Sequence, residues 1–107
     1  MSSASSVLTS KIVDYLLRLP NCFAYRSNTL GIPTSSGSFR PSPKRGVPDI
    51  TAMIKGKSFF IEVKIGKDSL RDEQKSFIAS AHNAGSVVLV VKSFDDFIDQ
   101  FSKSIIQ

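Results

Sequence analysis

Apolar positions recur along the chain with two periods, and each period marks a kind of element. Leu8, Ile12, Tyr15, Leu16 and Leu19 follow the helical spacing. Ser5 or Ser6 is placed to cap that helix, and Pro20 to end it. "CFAYR" at 22–26 reads as a short strand. "DITAMI" and "SFFIEVK" flank a Lys-Gly-Lys turn and predict a β-hairpin. A second helix follows, capped by Asp68 or Ser69 and closed by Gly85, with Leu70, Gln74, Phe77, Ile78 and Ala81 on one stripe. "SVVLVV" at 86–91 is the unbroken apolar run of a strand covered on both faces. Phe94, Phe97, Ile98, Phe101 and Ile105 then share the face of a last helix, with Asp95, Asp96 and Asp99 toward water. The order α-β-β-β-α-β-α predicts an α/β fold with a mixed central sheet flanked by helices.

One stretch has neither period. Between Ser27 and Pro48, twelve of 22 residues are Ser, Gly or Pro, and Arg40, Lys44 and Arg45 stand there without an acid. A stretch this long without periodicity is uncommon in a compact domain unless it serves function. It reads as a flexible basic loop, 27–48, that orders on a phosphate backbone.

The 107 residues predict one domain spanning 1–107. The formal charge of +5 is distributed unevenly. From Arg18 to Lys67 nine basic residues face only two acids, Asp49 and Glu62. Such a body suits a polyanion, because neutralised phosphates release their counterions. No apolar run nears the roughly 20 residues that span a bilayer, and the N-terminus lacks the pattern of a signal peptide. The expectation is a cytoplasmic, nucleoid-associated protein with no membrane partner. The lone cysteine, Cys22, has no internal disulfide partner and reads as a small buried residue.

Those two acids become informative once the hairpin register is set. If Lys55-Gly56 is a two-residue loop, Ile54 pairs with Lys57, Ile50 meets Ile61 and Ala52 meets Phe59 on the apolar face. Asp49 then falls across from Glu62. A three-residue loop would send the acids to different faces, and the apolar pairing favours the shorter one. Two carboxylates about 4 Å apart repel by roughly 4 kcal/mol at an effective dielectric of about 20. Protonation, the neighbouring Lys64 or a divalent cation would relieve the repulsion. Mg²⁺ suits hard oxygen ligands completed by water and substrate phosphate. The combination reads as a metal-dependent phosphodiesterase. The plainer reading is a Pro48-Asp49 turn beside a surface ion-pair stripe of Glu62 and Lys64.

"PD" at 48–49 followed by "EVK" at 62–64 resembles the PD-(D/E)xK nuclease superfamily. "YRSN" at 25–28, "GVPDI" at 46–50, "IEVK" at 61–64, "EQ" at 73–74 and Gly85 before an apolar strand are similar to its VRR-NUC branch, in the small stand-alone form. The resemblance spans 25–91 and implies a restriction-endonuclease-like αβββαβ core with an extra C-terminal helix. It implies that Asp49, Glu62 and the Val63 carbonyl bind Mg²⁺ or Mn²⁺, that Lys64 handles the attacking water, and that Gln74 holds water or a phosphate oxygen. Arg26, Asn28, Arg40, Lys44, Arg45 and Lys67 are the candidate DNA contacts. Family members often carry a glutamate on the first helix, where this chain offers only Asp14. His82, late in its helix, reads as a surface residue. Small nucleases of this kind resemble Holliday-junction resolvases, which implies a homodimer acting on branched DNA. Two other readings are a catalytically silent binding module on the same fold and a nuclease subunit of a restriction or transposition machine.

Overall fold

A computed structural model of the chain describes residues 3–28, 32–33, 39–40 and 46–106. Helix α1 runs over Ala4–Leu17 and strand β1 over Cys22–Arg26. Two short strands follow, β2 at Ile32–Pro33 and β3 at Phe39–Arg40. Then come β4 at Ile50–Ile54, β5 at Lys57–Val63, α2 at Asp72–Asn83, β6 at Val87–Val91 and α3 at Phe94–Ile106.

The main sheet has the order β1-β4-β5-β6. Its first two pairings are antiparallel and β5-β6 is parallel, so the sheet is mixed as expected. The β4-β5 register is also the expected one, with Ile54 opposite Lys57, Ala52 opposite Phe59 and Ile50 opposite Ile61. Lys55 and Gly56 both take positive φ, 51° and 84°. Two positive φ angles give the type I′ turn, whose twist matches that of the flanking strands.

Alternation along β5 divides the molecule. Phe59, Ile61 and Val63 are buried in the core with Ala24, Ile50, Ala52, Leu89 and Val91. Leu8, Ile12 and Leu16 of α1 and Phe97 and Phe101 of α3 close that core from one side. The opposite face carries Phe60 and Glu62, with α2 above it, and the Phe60 and Phe77 rings meet edge to face at 5.2 Å. Gln74 is the only fully buried residue of α2.

Four expectations change. Ser3, not Ser5 or Ser6, caps α1, its hydroxyl accepting the Ser6 N–H at 3.1 Å. α2 begins later than predicted, with Arg71 as its N-cap in place of Asp68 or Ser69. The reason is Gln74, whose side-chain oxygen accepts the Arg71 N–H at 2.9 Å, the reciprocal half of a capping box. Ile105 stands 54% exposed at the end of α3, away from the core stripe. Finally, β2 and β3 pair antiparallel within the stretch expected to be an unstructured loop. Strands of two residues are too short to show a period. Most of that loop, including Lys44 and Arg45, lies outside the described residues.

Gly46 joins the loop to the site. Its φ is +77°, and a Cβ there would overlap the carbonyl of Glu73 in the first turn of α2. Gly46→Ala therefore combines a strained backbone with a collision against backbone. We expect a loss of roughly 2–5 kcal/mol, measured as a lower urea midpoint.

Candidate active site

The edge of β4, the end of β5 and the start of α2 enclose a polar cleft of about 530 Å³. Asp49, Glu62, Val63, Lys64 and Gln74 all line it, so the structure gathers the whole predicted catalytic and metal set. Lys67 and Asn28 line it too.

Asp49 precedes β4 by one residue and is held from both sides. Its backbone carbonyl accepts the Ser27 N–H at 2.9 Å. The Ser27 hydroxyl donates to the Pro48 carbonyl at 2.8 Å and accepts from Thr51 at 2.9 Å. The Asp49 carboxylate extends the ladder where backbone pairing stops, with Oδ2 accepting the Val63 N–H at 2.7 Å. Oδ1 faces the Asn28 amide at 3.4 Å.

Glu62 is 2% exposed. Its Oε1 accepts from Gln74 Nε2 at 3.3 Å, while Oε2 is buried with no partner. Burial first, then the neighbouring Asp49 carboxylate, raise the Glu62 carboxyl to about 8 against the opposing pull of Lys64 and Arg71. An orphaned carboxylate oxygen beside a second carboxylate is a donor set that fits a hard divalent cation. Asp49, Glu62 and the Val63 carbonyl are the residues that would hold it. Among the described residues no group of three or more His, Cys, Asp and Glu side chains gathers as a metal cluster. The protein ligands would thus be two carboxylates and one carbonyl.

The first helix contributes differently from the expectation. Asp14 is exposed and lines another groove, with Lys11, Arg18 and Phe94. The α1 residue that reaches the cleft is Ser5. Arg26 turns toward α1, its guanidinium bonding the Ser6 and Ser10 hydroxyls at 3.1 and 3.2 Å. Of Arg40 only the backbone, in β3, is described. His82 is exposed, and Cys22 is half-buried with its thiol pKa raised by burial.

Sequence reasoning missed four cleft residues, Ser5, Asp68, Ser69 and Arg71. Arg71 stands three positions before Gln74 in "RDEQ", and that spacing was its available signal.

The VRR-NUC domain model matches residues 39–95, more than half of the chain and all of the β4-β5-α2-β6 unit around this cleft. The chain belongs to the VRR-NUC nuclease family. A solved structure of Hjc, a Holliday junction resolvase from the archaeal hyperthermophile Archaeoglobus fulgidus, is similar in fold, with a TM-score of 0.50 at 23% identity. The match covers 77% of this chain and 61% of that one, so the VRR-NUC chain spans under two-thirds of the resolvase's length. No curated protein sequence matches. Nucleases of this fold generally use divalent metal ions. The expected α/β, restriction-endonuclease-like fold is the one found.

Proposed function

We propose that the protein is a Mg²⁺-dependent endonuclease that hydrolyses phosphodiester bonds in branched DNA, four-way junctions above all, as a homodimer. The observation that carries this reading is the buried Glu62 carboxylate, with a free oxygen beside Asp49, in a cleft rimmed by Lys64, Lys67 and Arg71. A catalytically silent binding module would gain nothing from such a group, because an unpaired buried carboxylate destabilises the fold. Bound there, the cation would supply a Lewis acid and lower the pKa of a coordinated water.

The chain's own residues account for the rest. Gln74 and the Val63 N–H fix the two carboxylates in rotation, so their oxygens converge without reorganisation. Lys64, one residue past the end of β5 and lining the cleft with Glu62, would orient the attacking water and stabilise charge gathering on the phosphoryl oxygens. Lys67 lies at the rim, where it would meet the DNA backbone. The fold likeness to a junction resolvase supports the substrate. The excess of basic residues between Arg18 and Lys67 supports contact with the phosphate backbone.

The test is cleavage of a synthetic four-way junction and of a linear duplex of the same sequence, with Mg²⁺ and then with EDTA. Cutting of the junction in Mg²⁺ alone is expected, with the solution mass of a dimer. Cutting that persists in EDTA, or no cutting with any divalent ion, would overturn the proposal. Equal cutting of linear duplex would remove the junction preference.

A further inference from the structure

The cleft holds a cation that the motif does not account for. Arg71 lies at the N-cap of α2, and its side chain lines the same wall as Glu62, Lys64 and Gln74. Its position is fixed through the backbone, because its N–H is the group that Gln74 Oε1 accepts at 2.9 Å. That bond leaves the side chain unused. Asp68 and Asp72 are close in sequence, yet the guanidinium pairs with no acid among the described residues. Its charge is nevertheless felt at the Glu62 carboxyl. An exposed arginine held beside two carboxylates without pairing to an acid is poised for an anion that is not part of the chain.

We infer that Arg71 is a catalytic residue that grips the non-bridging oxygens of the phosphodiester being cut. The inference rests on the proposed nuclease reading and adds a guanidinium to the ammonium of Lys64 in the same cleft. The two differ in chemistry. A guanidinium presents a planar fork that matches two phosphate oxygens, whereas an ammonium acts as a point charge. Charge on those oxygens grows as the water attacks, so the fork stabilises the transition state more than bound substrate.

The structure also separates this role from a structural one. The α2 cap uses the backbone N–H of residue 71, which every residue but proline supplies. Arg71→Ala thus keeps the Gln74 bond and the helix start. We expect Arg71→Ala to lower kcat on a four-way junction on the order of 100-fold while KM stays within about threefold. Arg71→Lys should regain about tenfold by restoring charge without the fork. Millimolar guanidinium ion should rescue Arg71→Ala and leave Lys64→Ala inactive, and circular dichroism of both variants should match the parent.

A kcat for Arg71→Ala within about threefold of the parent would overturn the inference, as would a rise in KM alone, which would place the contact on a neighbouring phosphate. Loss of kcat together with helical signal and without rescue would make the residue structural, and overturns it equally. If the parent protein itself cuts no nucleic acid, the nuclease reading fails first. An active parent with an unaffected variant sinks only the role of Arg71.

Discussion

Glu62→Gln is expected to stabilise the metal-free protein, and to do so increasingly as pH rises from about 5 to 9. The folded carboxyl sits at about 8 against an ordinary 4.5. Between those values the folded state holds a proton that the unfolded state has released. Unfolding therefore becomes easier with each step of pH in that window and levels off above it. Below about 4.5 both states are protonated and the penalty vanishes. One unit is worth about 1.4 kcal/mol, so the full penalty is on the order of 3–6 kcal/mol. Glutamine removes the ionisation and keeps the shape. Its oxygen still accepts from Gln74, and its amide replaces the orphaned Oε2 with a donor facing Asp49. Urea midpoints measured in EDTA across the pH range should fall for the parent and stay nearly flat for the variant. Parallel curves would mean that Glu62 titrates normally and that its burial has been misread.

The second large effect belongs to Asp49→Asn. The asparagine oxygen can still accept the Val63 N–H, so the strand end should stay in place and the circular dichroism unchanged. What disappears is one of two negative charges. We expect Mn²⁺ binding by calorimetry to fall below detection and junction cleavage to drop on the order of 1,000-fold or more. Asp49→Ala is a different experiment. It also leaves the Val63 N–H without a partner, at a cost of about 1–3 kcal/mol. An Asp49→Asn protein with the parent's Mn²⁺ affinity would remove this carboxylate from the metal site.

The sequence made these effects predictable because hairpin geometry is local. A Lys-Gly turn and two apolar pairs, Ile50 with Ile61 and Ala52 with Phe59, set the register, and the register puts Asp49 and Glu62 on one face. Helix starts were less legible. Ser3, Ser5 and Ser6 all have capping chemistry, and only tertiary placement selects among them. α2 starts beyond Asp68 and Ser69 because its cap depends on Gln74, a residue that also lines the site. The roles of Ser27 and Arg71 were hidden for another reason. Ser27 acts from 22 positions away on Asp49, and Arg71 enters the cleft only because α2 crosses the end of β5. The chain shows Ser27 only as part of "YRSN" and Arg71 only by its spacing to Gln74, and neither signal says what the side chain meets.

Among the described residues, α2 meets the rest of the fold at several points. Gln74 is its only fully buried side chain, Phe77 touches Phe60 from the edge, and Gly46 fits beneath its first turn. The element that brings Gln74 and Arg71 to the chemistry is thus anchored in part by the chemistry itself, through the amide on Glu62. Whatever settles the charge of that carboxylate also tightens the helix, so substrate would meet a stiffer wall in the ion-loaded protein than in the bare one.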